Sequence, residues 1–377
     1  MRQPASAGNS RIDGLSQTSG TAARVITLVV VLYSFLVSIG LLGRAFKLFG
    51  GGFVGDLIQS ASNPVIGLFV GILVTSLVQS SSTTTSLVVA MVGGGSMPVA
   101  TAIPVIMGAN IGTSVTNILV SLGHLNRSNE FRRAFAAANV HDFFNVVVVL
   151  LLFPLQLATN FLGIFSAGLA TAFYDIGGLT FASPLKLATA PAVHAVAGLI
   201  GKHPWLLMLV SLALMFTSLR YIVVLLKGLV IRRVEALFDQ IIFRNAFRAM
   251  LFGLVVTALV QSSSVTTSLA VPLAGAGILT IYQIFPYTLG ANVGTTVTAI
   301  LAALAVGEVH AVTVAFAHLL FNVCGICLIW PIPAVRRIPI VLAEKMTSIA
   351  MYNRALPVLW VLFFFYAMPF AAILILR

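Results

Sequence analysis

The chain contains two runs of hydroxyl side chains, each preceded by a glutamine and set in an apolar stretch. The first reads QSSSTTTS from Gln79, and the second reads QSSSVTTS from Gln261. Hydroxyl and amide groups donate and accept hydrogen bonds without carrying charge, and in nonpolar surroundings they need partners. Helix packing by small residues also enriches Ser and Thr, but two matching runs favour a binding site.

A second motif follows each run at the same distance. GANIGTSVT begins at Gly108 and GANVGTTVT at Gly290, so each asparagine lies 31 residues after the glutamine of its run. The glycines beside the asparagine would let the backbone approach a ligand closely. Between the two motifs, glycines and prolines such as Gly93, Gly94, Pro98 and Pro104 are typical of broken or re-entrant helices. We therefore predict one polar site built from both motifs.

The predicted site suits an anion together with an alkali cation. The N-termini of broken helices attract anions through free N–H groups, while Ser, Thr, Asn and Gln oxygens suit hard cations. Neither motif contains Lys or Arg, so a bound anion would need sodium as its positive partner. Sodium-coupled anion uptake is therefore expected. Phosphate keeps a proton that it can donate to Gln79 or Gln261, but sulfate also remains open as a substrate.

The elements that hold this site belong to a membrane protein. Of 377 residues, 59% are hydrophobic and only 8% are charged, whereas soluble domains have roughly 25% charged residues. Three apolar segments approach the roughly 20 residues that cross a bilayer as a helix: Val25–Leu42, Trp205–Leu219 and Val358–Leu376. The formal charge of +12 does not indicate nucleic-acid binding, because the basic residues lie in separate loops and do not interleave with aromatic residues.

The chain is also a duplication. The two motif pairs are both 182 residues apart, and a third pair, HDFFN from His141 and HLLFN from His318, is 177 residues apart. A fainter match at an offset of 155 relates Pro184, Leu187, Ala188 and Trp205 to Pro339, Leu342, Ala343 and Trp360. The chain is therefore predicted to consist of two fused halves.

The basic loops indicate how the two halves are oriented. Arg127, Arg132 and Arg133 precede HDFFN, whereas the equivalent loop before HLLFN carries only Glu308. Because cytoplasmic loops are enriched in Lys and Arg, the first loop is expected inside and the second outside. We therefore predict an all-α polytopic fold of two inverted repeats around a central site. Its predicted parts are a cytoplasmic tail (1–23), a first repeat (24–227), a basic amphipathic linker (228–248) and a second repeat (249–377).

Five other residues need an interpretation. Asp142 is the one acidic residue that the repeat alignment places in an apolar segment, so it is a functional candidate; the alternative is a salt bridge to Arg132 or Arg133. His141 and His318 are expected to cap helices or to pack, although a proton relay remains open. The CxxC pair Cys324 and Cys327 is interpreted as packing, because two cysteines cannot complete a zinc site.

The chain resembles the type II sodium-phosphate cotransporters. The resemblance rests on the doubled QSSS run, the doubled GAN motif, the string FRRAFAAANVHDFFN (131–145) and the string ASPLKL (182–187). The resemblance implies sodium-driven phosphate uptake, membrane lipid as surroundings, no cofactor, and a bacterial inner-membrane location. Ala136, Ala138 and Asp142 match the electrogenic branch of that family. The implied substrate ligands are Gln79, Ser80, Ser81, Ser82, Asn110, Gln261, Ser262, Ser263, Ser264 and Asn292. The implied sodium ligands are Thr83, Thr113, Asp142, Asn145, Thr295, Thr298 and Asn322.

Two other classes of function compete with this interpretation. A hydrolase would use one serine with His141 or His318 as the base, but two equal runs single out no nucleophile. We therefore do not expect an enzyme. An anion channel could also be lined by hydroxyls, and it would conduct only down a gradient. The sequence does not indicate an oligomeric state.

Overall fold

The computed structural model describes residues 26–48, 63–175, 184–226, 245–353 and 355–376, together with Ala23 and Phe243. Every regular element in these ranges is a helix, which confirms the predicted all-α class. The predicted tail up to residue 22 and residues 228–242 of the predicted linker lie outside the described residues.

Within the described ranges, nine helices belong to the first part of the chain: α1 (Ile26–Leu48), α2 (Pro64–Val78), α3 (Ser81–Gly93), α4 (Val99–Gly112), α5 (Val115–Leu122), α6 (Ser128–Thr159), α7 (Phe161–Asp175), α8 (Pro184–Ile200) and α9 (Pro204–Leu226). Six belong to the second: α10 (Ala246–Val260), α11 (Ser263–Gly275), α12 (Ile281–Val306), α13 (Val309–Ile329), α14 (Pro333–Tyr352) and α15 (Leu356–Leu376). A π-helical stretch, Phe363–Ala367, interrupts α15.

Among the described residues, seven helical segments are long and apolar enough to cross a membrane: α1, α4 continued by α5, α6, the Pro204–Ile222 part of α9, α12, α13 and α15. They include the three segments expected from the sequence. Large apolar side chains also face outward, with Leu199 90% and Ile375 81% exposed. Such a surface suits lipid, because soluble monomers rarely expose wide apolar patches. The chain is an integral membrane protein.

Each QSSS run begins a helix at a sharp break. Gln79 ends α2 with φ 54°, and Gln261 ends α10 with φ 59°; both are left-handed conformations that are uncommon for residues other than glycine. The next serine is extended in both copies, at φ −150° for Ser80 and −152° for Ser262. The 15-residue α2 and 13-residue α3 are only about 22 and 20 Å long. Neither could cross the roughly 30 Å hydrocarbon core alone.

The glycines of the GAN motifs pack helices together. A Cβ atom on Gly108 would overlap the carbonyl oxygen of Leu68 in α2, and one on Gly290 would overlap that of Met250 in α10. The prediction that these glycines admit a ligand is therefore wrong. They remove side chains where α4 crosses α2 and where α12 crosses α10, and the close approach of the two backbones leaves no room for a methyl group.

The predicted breaks fall partly where expected. Gly93 ends α3 and Gly275 ends α11, and the following Gly95 and Gly277 have φ of 76° and 77°. Pro104, in contrast, lies inside α4, where it interrupts no helix. The two parts of the chain share one apolar core, in which Phe144 of α6 meets Phe285 of α12 at a ring separation of 5.9 Å. Cys324 packs against this core, as the sequence predicts, but Cys327 is exposed, so the packing interpretation is wrong for that residue.

Candidate functional site

The two QSSS runs meet inside the protein, although they are far apart in the sequence. The hydroxyl of Ser82, in the first turn of α3, donates a hydrogen bond of 3.1 Å to the backbone carbonyl of Gln261. The side chains of Ser81, Ser82, Ser263 and Ser264 are all buried. The structure therefore brings the predicted substrate ligands of both runs to one place.

The N-termini of α3 and α11 have the same local geometry. The Ser80 hydroxyl accepts the N–H of Thr83 at 3.2 Å, and the Ser262 hydroxyl accepts the N–H of Val265 at 3.4 Å. The first N–H groups of α3 and α11 have no partner within their helices. Each break thus points backbone donors and the positive end of a helix dipole at the junction, an arrangement that favours an anion.

The side chains of Gln79 and Gln261 differ in their hydrogen bonds. The Gln261 side chain accepts the hydroxyl of Thr298 at 2.8 Å and donates to the carbonyl of Ala258 at 2.6 Å. The Gln79 side chain is exposed, and none of the described residues hydrogen-bonds to it. Thr298, a predicted sodium ligand, therefore also orients Gln261. Gln79 is free to turn toward a bound ligand.

A chain of buried hydrogen bonds connects the second run to the second GAN motif through the first half. The Thr267 hydroxyl of α11 donates to Asn117 Oδ1 of α5 at 2.9 Å. Asn117 Nδ2 lies 3.4 Å from Nδ1 of His141, and Nε2 of His141 lies 2.5 Å from Oδ1 of Asn292. Asn292 continues the chain to Asn145. All five side chains are at most 3% exposed.

The rest of this chain returns to the first GAN motif. Asn292 Nδ2 donates to Asn145 Oδ1 at 2.8 Å, and Asn145 Nδ2 donates to the backbone carbonyl of Asn110 at 2.8 Å. Every donor meets an acceptor if His141 is a neutral imidazole with its hydrogen on Nε2. The Asn110 side chain stays outside the network and bonds within α4 to Ile106.

Of the two roles expected for the histidines, capping is contradicted, whereas both side chains pack inside the protein and are fully buried. His141 lies in the middle of α6 and His318 in the middle of α13, where helices need no caps. Only His141 joins the network. In the part of the chain that the structure describes, both ring nitrogens of His318 and the Oδ1 atom of Asn322 have no hydrogen-bond partner. The second copy of the HxxFN motif therefore holds an incomplete version of the arrangement in the first.

Asp142 is fully buried in α6. Neither carboxylate oxygen forms a hydrogen bond of good geometry, and the facing Ser114 hydroxyl also lacks one. The alternative salt bridge to Arg132 or Arg133 is wrong, because the Arg133 guanidinium instead bonds to the carbonyls of Ala274 and Gly275 at the end of α11. A buried carboxylate with open oxygens at the α4–α5 break suits a cation.

The predicted sodium ligands are all buried, but the structure does not gather them into one shell. Thr113 and Thr295 donate to the carbonyls of Ala109 and Ala291, one turn earlier in their own helices. Thr83 donates to the Ser80 hydroxyl at 2.8 Å. These hydroxyl oxygens keep lone pairs for a cation. Asp142 and Asn145 are three residues apart on α6, a spacing that puts them on one face of the helix.

Sequence reasoning missed Asn117 and Thr267. Asn117 lies seven residues after Asn110, two helical turns along the same face, so a search for polar residues at helical spacing could have found it. Thr267 stands in the second QSSS run but was not assigned a role. Its partner is 150 residues away, and no spacing in the sequence indicates that pairing.

Comparison with known proteins identifies the family to which the chain belongs. The Na+/Pi-cotransporter family model matches residues 34–180 and 207–327. The chain is 35% identical to sodium-dependent phosphate transport protein 2A of Ovis aries, over 95% of the chain and 68% of that protein. It is 33% identical to protein 2B of Homo sapiens, over 92% of the chain and 64% of that protein. The chain thus spans about two thirds of the length of these relatives. No solved structure matches it. The chain belongs to the Na+/Pi-cotransporter family.

Proposed function

We propose that this protein is a secondary active transporter that couples inward sodium movement to the uptake of inorganic phosphate. The observation that carries the proposal is the bond between Ser82 and the Gln261 carbonyl, because it joins two helix N-termini and two sets of hydroxyls at one junction. The related proteins 2A and 2B are named sodium-dependent phosphate transport proteins, which supports phosphate over sulfate. Catalysis has no part in this proposal.

The proposal includes an inverted arrangement of the two halves. Gly93, at the end of α3, lies against Val306 at the C-terminal end of α12. Ala274, near the end of the equivalent helix α11, lines a cavity with Ile281 at the N-terminal end of α12. The 26 residues of α12 measure about 39 Å, enough to span a bilayer. Equivalent helix ends on opposite sides of one spanning helix support inverted repeats.

The proposal also includes net charge movement. Three sodium ions with one divalent phosphate would carry one positive charge inward in each cycle. The buried, unpaired Asp142 carboxylate supports a third cation, because a buried anion without a partner is costly. The expected location is the plasma membrane, which is the inner membrane in a bacterium, where a sodium gradient and a membrane potential can drive uptake.

The test is uptake of labelled phosphate by the purified protein in liposomes. Phosphate should accumulate above its external concentration when sodium is outside, and potassium in place of sodium should abolish accumulation. Labelled sulfate serves as the matched substrate control. Flux that only equalises phosphate across the membrane would indicate an anion channel, and equal accumulation of sulfate would show a broader oxyanion transporter.

A further inference from the structure

A cavity of about 560 Å³ lies between α6, α14 and the segment that connects α11 to α12. We call it the α6–α14 cavity. Its polar lining comprises Arg132, Arg133, Thr280, Glu344, Lys345 and Ser348. Three cations and one carboxylate give this lining a net charge of +2. The cavity lies on the face that carries the basic loops, which the positive-inside rule places in the cytoplasm.

The cationic side chains of the α6–α14 cavity differ in their contacts. Arg133 bonds to the carbonyls that end α11, so its role is to hold that helix end. Arg132 and Lys345 are exposed, and neither forms an ion pair with any of the described residues. Their charges are therefore available to an anion in the cavity. The hydroxyls of Thr280 and Ser348 already donate to Gln283 Oε1 and to the Glu344 carbonyl, so the two cations are the groups that would recognise an anion.

The repeat supplies a natural comparison. A second cavity of about 340 Å³ is built from the equivalent elements of the other half, namely the end of α3, the start of α13 and helix α8, together with α1. Its cations already have partners: Lys47 bonds to Glu308 at 3.2 Å, and Arg44 to His194 at 2.9 Å. The two cavities are alike in construction, but only the α6–α14 cavity presents unpaired cations.

The α6–α14 cavity also reaches toward the central site. Ala136 lines it, and Asp142 follows six residues later on the same helix, about 9 Å farther along. Tyr282 lines the cavity on α12, the helix that carries Asn292. An anion that leaves the QSSS junction toward this face would therefore meet Arg132 and Lys345 before it reaches bulk water.

We propose that the α6–α14 cavity is a second oxyanion subsite, in which Arg132 and Lys345 hold inorganic phosphate after its release from the QSSS junction. The inference rests on the proposed function for the identity of the anion. The chemistry that the cavity recognises is a phosphate group, and a phospholipid headgroup is the alternative source of one. The lining of the cavity by Ala136, six residues before Asp142 on α6, favours the free ion.

The subsite can be tested without transport. A single cysteine replaces Ser348, with Cys324 and Cys327 changed to serine, and the protein is placed in phosphatidylcholine nanodiscs. The measured quantity is the rate of modification by a negatively charged methanethiosulfonate, without sodium, at increasing concentrations of inorganic phosphate. Phosphate should slow this reaction. Lys345→Gln or Arg132→Gln should raise the half-protecting phosphate concentration about fivefold, the effect of losing one exposed charge contact.

Arg337→Gln is the matched control, because it removes the same charge from α14 outside the cavity, and it should leave protection unchanged. If Arg337→Gln and Lys345→Gln raise the half-protecting phosphate concentration equally, general surface charge explains the protection and the subsite is contradicted. If protection appears only in nanodiscs in which phosphatidylglycerol replaces part of the lipid, lipid headgroups occupy the cavity instead of free phosphate. If sodium-driven uptake is intact but phosphate gives no protection, the subsite is contradicted and the proposed function stands. If phosphate protects but no uptake occurs, the proposed function is contradicted and the subsite stands.

Discussion

Nε2 of His141 and Oδ1 of Asn292 lie 2.5 Å apart, and this bond joins α6 of the first half to the GAN motif of the second. Replacing His141 with leucine would leave Oδ1 of Asn292 and Nδ2 of Asn117 without their hydrogen-bond partner. An unsatisfied buried polar group costs about 1–3 kcal/mol. The His141→Leu protein should therefore unfold at a clearly lower temperature in detergent, and its phosphate uptake should fall.

His318 is the matched control for that experiment, because it is the repeat equivalent of His141 and is equally buried. Both of its ring nitrogens lack partners, so His318→Leu removes two unsatisfied groups and should leave the unfolding temperature unchanged or higher. Equal destabilisation by both substitutions would show that the histidines matter only through packing volume, and the network would then have no special role.

The shared site makes a prediction for the two glutamines. Gln79→Ala and Gln261→Ala each remove an amide from a desolvated anion, at a cost of about 1–3 kcal/mol, so uptake should fall about tenfold or more for either change. Thr298→Val releases the Gln261 amide and removes a predicted sodium ligand, so it should raise the KM for phosphate and for sodium. Full uptake in one alanine variant and loss in the other would contradict a site built from both halves.

The helix crossings predict which glycines are essential for folding. Gly108→Ala and Gly290→Ala would force a methyl group onto a backbone carbonyl of the neighbouring helix. Because a backbone cannot rotate away as a side chain can, the cost should be about 1–3 kcal/mol or more. Gly198→Ala is the control, since a Cβ atom there meets nothing within 4 Å. Thermal unfolding in detergent should separate the first two variants from the third.

The inverted arrangement can be tested by labelling from one side. Ser128, at the start of α6, and His310, near the start of α13, are both exposed, and each is replaced in turn by cysteine in a protein without Cys324 and Cys327. Gly307 is less suitable, because its φ of 66° would strain a cysteine. An impermeant thiol reagent on intact cells should label position 310 and not 128. Labelling of both, or of 128 alone, would contradict inversion.

Much of the architecture follows from the sequence because it depends on local signals. Apolar segments of spanning length predict the membrane helices. The breaks at Gln79 and Gln261 were not predicted, because the glycines and prolines that mark a break stand after the QSSS runs. The glycines of the GAN motifs mislead, since their type shows that a close approach is needed but not whether it is to a ligand or to a helix. Only the packed structure shows that Leu68 lies against Gly108.

The polar contacts between distant segments could not be predicted in the same way. Lys47 pairs with Glu308 across 261 positions, and His141 bonds to Asn292 across 151. Pairings of this kind depend on how the two halves fit together, and the 182-residue repeat offers no hint of them. The repeat even predicts the wrong symmetry, because His318 does not reproduce the contacts of His141.

Asp142 supplies the last prediction. Its carboxylate is buried without a hydrogen bond of good geometry, and the second repeat has Leu319 at the equivalent position. If Asp142 helps to hold a third sodium ion, Asp142→Gly should carry two sodium ions with divalent phosphate, which is a neutral cycle. The variant should still take up phosphate, more weakly, but without a response to voltage. With one net positive charge moved per cycle, 100 mV would contribute about 2.3 kcal/mol to accumulation.

The measurement is labelled phosphate uptake in liposomes at fixed sodium, with a potassium–valinomycin potential stepped from zero to inside negative. The native protein should accelerate at the step, and Asp142→Gly should not. Asp142→Asn is the matched control, because it keeps the size of the side chain and removes only the charge, so it should also lose the voltage response. If Asp142→Asn keeps that response while Asp142→Gly loses it, the shape of the side chain and not its charge sets the coupling. An equal response in all three proteins would remove Asp142 from the coupling mechanism.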